Sequence, residues 1–320
     1  MIELMVDRNS EGLRVDRFLR RRFPQAPLSL IYKSLRTGVY TVNDKKSKPD
    51  YRLRAGDTVT VFLSPDNYEK MTRKERTVKI QNTFQVLYED GDVLIVNKPP
   101  MLASQPGTGV EHQNLVEQVK RYVDKKTHPG LAHRLDRGTS GIVVIGKNRK
   151  ALLALHRLFQ ERHVEKYYLA LVVGHLHQKR SVVKFFLKKT TEGFQHRMLV
   201  VDAGEPGAVE AETHYRVLEE SSLYSLLELH LKTGKMHQIR AQLAHLGHPL
   251  VGDRVYGDAT ANNRYAHLLR RQFLHAFRIR FQHPMSQHQL DIVAPLPEDL
   301  QHILQKCGFS FSLESYRQIQ

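Results

Sequence analysis

A single carboxylate lies between two arginines in the segment HRLDRGTSG, residues 133–141. Asp136 has Arg134 and Arg137 close by in the chain, and the apolar run IVVIG follows at once. A charged side chain next to a buried strand is costly unless it is paired or used in chemistry. Such a carboxylate can act as a nucleophile or as a general base. Asp136 is therefore the first candidate catalytic residue, and a structural ion pair with Arg134 or Arg240 is the alternative.

A second segment whose side chains could take part in a reaction is LKTGKMHQIRAQLAHLGHPLVGDRVYG, residues 231–257. Its apolar residues Ile239, Leu243 and Leu246 have helical spacing. Gly247 follows at the natural end of this helix, because glycine and a nearby proline are typical helix stops. We expect Arg240 to lie in the first turns of the helix and to point away from its buried face.

Together the two segments resemble the RluA-type pseudouridine synthases, which isomerise uridine to pseudouridine in RNA. The family pattern H-R-L-D-x-x-T-S-G is met at every defined position of residues 133–141. The pattern T-G-R-x-H-Q-[IL]-R is met from Thr233 to Arg240 except at Lys235, which keeps the charge of the usual arginine but loses its planar guanidinium. The K-x-Y element falls at Lys166 and Tyr168, and Lys98-Pro99 matches an upstream turn.

The resemblance implies a reaction that cuts the bond from uracil N1 to the ribose, turns the base and rejoins it through C5. Asp136 would be the nucleophile toward the sugar or the base, or a base at the ribose. Arg240 would pair with Asp136, and Tyr168 would stack on the uracil and finally take the proton from C5. The isomerisation involves no redox change, so we expect no cofactor.

Substrate binding is also implied by the resemblance. A uridine stacked in folded RNA must be flipped out of the stack before it can react. Basic side chains are suited to hold the displaced backbone. The side chains that we expect to contact the substrate are Arg134, Arg137, Lys235, His237 and Lys98.

The composition of the 320 residues favours a nucleic-acid partner over most other classes. The formal net charge is +16, which points to a polyanion such as RNA, with an anionic membrane surface as the other option. No apolar run approaches the roughly 20 residues needed to span a bilayer. One cysteine excludes an internal disulfide and a cysteine-rich zinc site, and we expect no metal. We expect a cytoplasmic, monomeric protein that binds RNA.

Residues 1–63 have the pattern of a small separate module. They contain 13 lysines and arginines against 7 acidic residues, a net charge of +6. Apolar spacing predicts one helix near Val15 and Leu19, and a second that Ser29 could cap and Gly38 could end; two short strands follow. The arrangement resembles the alpha-L RNA-binding domain of a small-subunit ribosomal protein. The expected RNA contacts are Arg17, Arg20, Arg21, Lys33 and Arg36.

The rest of the chain predicts a linker and one larger domain. Residues 64–82 are polar and highly charged, as expected of a linker. Residues 83–320 alternate short strands with a few helices, of which 151–163 is the clearest. This order is neither a regular βαβ series nor a repeat array. We therefore predict an α+β fold in which residues 83–320 form the catalytic domain on a mainly antiparallel or mixed sheet.

Three functions remain open from the sequence. The leading one is site-specific pseudouridine formation in 23S rRNA, toward which the N-terminal module tilts the choice. A synthase acting on tRNA is the second. The third is a non-catalytic RNA-binding or ribosome-assembly protein of the same fold, although RNA binding alone would not require the set Asp136, Tyr168 and Arg240.

Overall fold

A computed structural model describes most of the chain: residues 1–23, 26–64, 67–68, 71, 82–107, 110, 113–124, 127–192 and 195–318. It divides into two compact units, Met1–Ile80 and Gln81–Gln320. The expected linker at 64–82 lies mostly outside the described residues. Its role as a linker, and the boundaries that follow from it, therefore stay predictions.

In the first unit, two α-helices among the described residues pack on a small antiparallel sheet. The elements are β1 (Ile2–Met5), α1 (Val15–Arg22), α2 (Leu28–Thr37), β2 (Tyr40–Val42), β3 (Lys45–Lys46) and β4 (Thr58–Val61). The strands follow the order β1-β4-β2-β3 across the sheet.

The two predicted helices of this unit are confirmed, with one change at a helix start. Val15 and Leu19 of α1 are buried, as the apolar spacing predicts. Helix α2 begins at Leu28 after Pro27, so Ser29 lies inside its first turn and the prediction that Ser29 caps the helix was wrong. Gly38 ends α2 in the left-handed conformation, at φ +85°, which glycine adopts without a steric cost.

The second unit is built on a mixed sheet of eleven strands. The strands are β5 (Gln85–Glu89), β6 (Val93–Lys98), β7 (Gly130–Leu131), β8 (Ser140–Gly146), β9 (Glu165–Val173), β10 (Arg180–Glu192), β11 (Gln195–Val201), β12 (Val209–Glu220), β13 (Tyr224–Leu231), β14 (Leu274–Gln282) and β15 (Gln289–Val293). The main path across the sheet runs β11-β10-β12-β13-β9-β14-β8-β6-β5, while β15 pairs with β14 and β7 with β8.

Helices cover parts of this sheet and confirm the α+β class. They are α3 (Leu115–Tyr122), α4 (Arg149–Gln160), α5 (Gln238–His245), α6 (Ala259–Arg264), α7 (Glu298–Lys306) and α8 (Leu313–Gln318). The helix predicted at 151–163 begins two residues earlier, because the side chain of Asn148 accepts a hydrogen bond from the amide of Ala151 at its first turn. Within the described part of the chain, no helix is both long and apolar enough to cross a membrane.

One close backbone approach fixes the strand that follows Asp136. Strands β8 and β14 pair in parallel, with Ser140 opposite His275 and Gly141 opposite Ala276. Gly141 has φ +115°, and a Cβ atom there would collide with the backbone of Ala276. Only glycine fits this position. The G of the TSG sequence is therefore needed for the sheet to form beside the loop that carries Asp136.

Candidate active site

Six of the eight residues that sequence reasoning assigned to catalysis and substrate binding line one cavity of the second unit. The cavity has a volume of about 720 Å³ and lies between the loop 133–139, β9, the end of β13 and α5. These six residues are Arg134, Asp136, Tyr168, Lys235, His237 and Arg240. The side chain of Asp136 is 21% exposed, so its carboxylate is accessible from the cavity.

The loop that carries Asp136 is held from both sides. On one side, the hydroxyl of Ser104 donates to the carbonyl of Leu135 at 2.7 Å and accepts from its amide at 3.1 Å. On the other, the buried Arg271 donates to the carbonyl of Gly138 at 3.2 Å. Arg271 is itself fixed by two hydrogen bonds to Asp299, of 2.6 and 2.8 Å. The backbone on either side of Asp136 is therefore anchored.

Lys98 lies beneath this loop and not in the cavity wall. Its side chain is fully buried and its ammonium donates to the carbonyls of Pro99, Leu102 and Arg137 at 2.9, 2.8 and 3.4 Å. Burial and the nearby Arg271 lower the pKa of Lys98 to about 7. The expectation that Lys98 contacts substrate was therefore wrong: the side chain has no access to the cavity and instead joins the backbone of residues 99–102 to that of Arg137.

Arg137 is also outside the cavity lining. It is exposed, and its Nε donates to the carbonyl of Met101 at 3.2 Å. This bond turns the guanidinium toward the upstream turn, and the expected contact of the exposed Arg137 with the displaced RNA backbone stays a prediction. Arg134 and Lys235, in contrast, are exposed and line the cavity, and their contact with substrate stays a prediction.

Helix α5 is buried on most of its surface, which corrects the expected orientation of Arg240. The residues from Gln238 to Leu243 are all buried, so the helix has no free face for Arg240 to use. Two glutamine side chains anchor the helix to β12. Gln238 donates to the carbonyl of Glu212 at 3.0 Å, and Gln242 to that of Ala211 at 2.9 Å. Arg240 is consequently 6% exposed and reaches the cavity from within the fold.

Arg240 bonds to two carboxylates at once. Its Nε and Nη2 donate to the two oxygens of Asp253 at 2.6 and 2.8 Å, and its Nη1 donates to Asp136 at 3.2 Å. Burial alone would lower the pKa of Arg240, but Asp253 and Asp136 raise it. Burial alone would raise the pKa of Asp253, but the bonds to Arg240 lower it. Arg240 and Asp253 are therefore both charged at neutral pH.

His237 closes the cavity on the side of α5. It precedes the helix in a left-handed conformation with φ +49°, and its Nε2 lies 3.8 Å from Asp136. Its Nδ1 lies 3.1 Å from the hydroxyl of Tyr256, which also accepts a bond from the amide of Met198 at 2.6 Å. Burial lowers the pKa of His237, while Asp136 opposes that shift. A neutral His237 can thus contact substrate without competing strongly for Asp136.

Strand β9 contributes two residues of one face. Lys166 and Tyr168 are two positions apart, so both point into the cavity. Burial, Arg162 and Lys232 lower the pKa of Lys166 to about 8. Burial and the charge of Asp136 raise the pKa of Tyr168, so its phenol is protonated at neutral pH. Tyr168 thus lies among the cavity residues as a neutral, largely buried ring.

Sequence reasoning missed several residues that complete the site. Lys166 stood in the K-x-Y element but was given no role, although its alternation with Tyr168 indicates the same face. Asp253 and Tyr256 lie in the GDRVYG part of the second segment. Their contacts with α5 are tertiary, and no local pattern reveals them. In the described part of the chain, no cluster of three or more histidine, cysteine or acidic side chains could hold a metal ion.

The basic residues expected to contact RNA in the first unit are all on its surface. Arg17, Arg20 and Arg21 are exposed on α1, and their spacing of three and four residues places them on one side of the helix. Lys33 and Arg36 are exposed on α2. These positions leave all five side chains available to a partner, and their binding to RNA stays a prediction.

Comparison with known proteins identifies a family that this chain resembles in sequence and in fold. The sequence model of the RNA pseudouridylate synthase family matches residues 92–245 of this chain. A relative from Vibrio cholerae, named ribosomal large subunit pseudouridine synthase C, is 35% identical over 306 residues, which cover 94% of this chain and 95% of that protein. The Escherichia coli protein of the same name is 34% identical, over 92% of this chain and 93% of its own length.

A solved structure resembles this chain over most of its own length. Human RNA pseudouridylate synthase domain containing 1 is 28% identical and superposes with a TM-score of 0.58, covering 74% of this chain and 94% of that chain. These relatives confirm the resemblance found in the two long motifs. This chain therefore belongs to the RNA pseudouridylate synthase family, the isomerases that convert uridine in RNA to pseudouridine.

Proposed function

We propose that this protein forms pseudouridine at specific uridines of 23S rRNA and that Asp136 carries the reaction. The observation that supports this most is the carboxylate of Asp136 in the cavity, hydrogen-bonded by Arg240 and on a loop anchored from both sides. The rRNA substrate is supported by the names of relatives that align over more than 90% of both chains.

Asp136 would act at the step that detaches the base. A carboxylate can attack the ribose or the uracil ring, or it can remove a proton from the ribose. Each route requires the ionised form, and each breaks the bond from N1 to the sugar before C5 takes its place. The hydrogen bond from Arg240 favours the ionised form of Asp136, because a nearby cation stabilises a carboxylate.

Tyr168 would end the reaction. After C5 joins the ribose, the carbon still carries a proton that must leave to restore the planar ring. The raised pKa of Tyr168 means that its phenol is neutral, so it can take this proton only as it gives up its own. Asp136, the anion that contributes to the raised pKa, is a suitable acceptor for the proton that Tyr168 releases. The ring of Tyr168 would also stack on the uracil.

The remaining residues of the cavity would hold the flipped nucleotide. Removing a base from the stack costs about a few kcal/mol, which contacts with the displaced strand must offset. Arg134 and Lys235 are exposed at the cavity, where they would bind phosphates. Lys166 and His237 would donate or accept hydrogen bonds closer to the base. The chemistry is redox-neutral, and none of these steps calls for a cofactor.

The first unit would add affinity for the RNA through its exposed basic residues. We also expect the protein to act in the cytoplasm and to be a monomer. Light scattering of the purified protein with and without RNA would test the monomeric state. A dimer in both conditions would contradict that expectation.

The substitution Asp136→Asn tests the proposal. Asparagine keeps the size and most hydrogen bonds of aspartate but cannot act as a nucleophile or base. We expect no detectable pseudouridine in 23S rRNA, with RNA affinity and thermal stability nearly unchanged. Asp202→Asn, in an exposed turn, is the matched control and should retain full activity.

Two outcomes would contradict this function. Turnover by Asp136→Asn would remove Asp136 from the mechanism. Modification of transcribed tRNA by the native enzyme, without modification of 23S rRNA, would replace the proposed substrate. Pseudouridine mapping of both RNAs after incubation with the native enzyme measures this directly.

A further inference from the structure

Arg240 divides its hydrogen bonds unequally between two carboxylates. Asp253 receives two of them, at 2.6 and 2.8 Å, in the side-on geometry that is strongest for a guanidinium and a carboxylate. Asp136 receives one, at 3.2 Å. The side chain of Asp253 is fully buried and that of Asp136 is 21% exposed. The inaccessible carboxylate therefore has the stronger bonds, and the accessible one has the weaker.

Asp253 is itself held so that it cannot move toward the cavity. Its Oδ1 accepts hydrogen bonds from the amides of Val255 and Tyr256 at 2.8 and 3.1 Å. Its own carbonyl accepts from the amide of Gly257 at 3.0 Å and from the side chain of Asn262 at 2.8 Å. Because both ends of the residue are fixed, the guanidinium of Arg240 has a fixed position too.

The ring of Tyr256 limits the remaining freedom of Arg240. The guanidinium carbon lies 5.2 Å from the centre of that ring, and Arg197 lies 5.5 Å from it. Arg240 thus has an aromatic contact in addition to Asp253. Rotation toward Asp136 for a two-bond ion pair would break both bonds to Asp253 and leave a buried carboxylate without its cation, which is strongly unfavourable.

The surroundings of Asp136 show why this division matters. The charged and titratable groups that face it come from its own loop, from α5, from β6 and β9, and from the segment after α5: Arg134, His237, Arg240, Lys98, Tyr168 and Asp253. Arg134 and Arg240 are two cations in this set, against the single anion Asp253. A carboxylate held tightly by a cation is a weaker nucleophile and base, since the pairing stabilises its lone pairs.

We propose that Asp253 is a positioning residue for the isomerisation: it orients Arg240 and takes up enough of its charge to leave Asp136 free to react. This inference rests on the proposed role of Asp136. Asp253 is fully buried and therefore has no direct access to RNA, so its effect on the reaction would pass through Arg240. Its substitution should change the chemical step and leave RNA binding unaffected.

The first test is the single-turnover rate of Asp253→Asn as a function of pH. The neutral amide of the asparagine no longer offsets the charge of Arg240, so the electrostatic attraction between Arg240 and Asp136 increases. The acid limb of the profile, which reports protonation of the reacting carboxylate, should move to lower pH by about one unit. The plateau rate should fall roughly tenfold to a hundredfold, because the guanidinium loses its fixed position. The RNA concentration at half-maximal rate should stay unchanged.

A second variant gives the opposite expectation and does not depend on the folding of the first. Arg240→Lys keeps the cation, but an ammonium group cannot form the two-bond fork. It should remain with the buried Asp253 and leave Asp136, so the acid limb should move to higher pH. A conservative Asp253→Glu restores the carboxylate and should return the acid limb toward its native position, even if the plateau rate recovers only in part.

The matched control is Asp291→Asn. Asp291 also receives two bonds from one arginine, Arg278, at 2.8 and 2.7 Å, but it lies on β15 away from the cavity. Its replacement should leave the pH profile unchanged. An unmoved acid limb in both Asp253→Asn and Arg240→Lys would overturn the inference, as would limbs that move in the same direction. If Asp136→Asn retains activity, the proposed function has failed instead, whatever the profiles show.

Discussion

The two units of this chain use their charges in opposite ways. In the first unit, the arginines of α1 are exposed and available to a partner. In the second, Lys98, Arg240 and Arg271 are buried, and each donates hydrogen bonds to backbone carbonyl or carboxylate oxygens. Exposed basic side chains contribute to RNA binding according to how many of them there are. A buried cation contributes by holding one particular group in place. We therefore expect substitutions in the second unit to be severe singly, and those in the first to be mild and cumulative.

The largest effect of a single substitution in the second unit is expected for Tyr168→Phe. The ring and its stacking surface remain, but the phenol that would take the C5 proton is removed. The single-turnover rate should fall roughly 10²- to 10⁴-fold, as expected for removal of a positioned general base. RNA affinity should stay close to the native value. Tyr215→Phe, at another buried tyrosine of the same core, is the matched control. Equal rates in the two variants would make Tyr168 a packing residue.

A second prediction concerns Lys98, which reaches no substrate. Lys98→Met removes the hydrogen bonds to the carbonyls of Pro99, Leu102 and Arg137. The loop of Asp136 should then shift from its native position, and the rate should fall about tenfold to a hundredfold with unchanged RNA affinity. A native rate in a folded variant would show that the loop is positioned without Lys98.

The same residue predicts a pH dependence of stability. The pKa of Lys98 is about 7 in the folded protein against an ordinary value of 10.5. Between these values the unfolded chain holds a proton that the folded chain lacks, so raising the pH stabilises the fold. The native protein should therefore gain stability relative to Lys98→Met from about pH 7 upward, in denaturant unfolding followed at several pH values. A constant difference would mean that Lys98 keeps its proton in the fold.

The smallest effects are expected on α1. Replacing Arg17, Arg20 and Arg21 together with glutamine should weaken RNA binding. The slope of log affinity against log salt should become shallower by about 0.7–0.9 for each phosphate that is no longer bound. The rate at saturating RNA should not change. Replacing the exposed Lys45, Lys46 and Lys48 removes the same charge from the same unit and is the control. Equal slopes in the two triple variants would mean that these three arginines contribute no more to RNA binding than the control lysines do.

Sequence reasoning predicted the parts of the site that are encoded locally. Asp136 and Arg240 lie within contiguous motifs, and Lys166 and Tyr168 follow the alternation of a strand. The helix near 240 was also predicted, but not that Arg240 would be buried, because its burial depends on packing against β12. The supporting contacts could not be predicted, since Arg240 meets Asp253 and Gly138 meets Arg271 only when distant segments pack.

The parallel pairing of β8 with β14 has a consequence for synthesis on the ribosome. The strand after Asp136 is completed by His275 and Ala276, and its loop is held by Arg271, which lies more than 130 residues further along the chain. A nascent chain folds as its segments emerge, N-terminal parts first. The loop therefore acquires its final shape only after about residue 276 has left the exit tunnel. A chain released before that point would carry both motifs and would still be inactive.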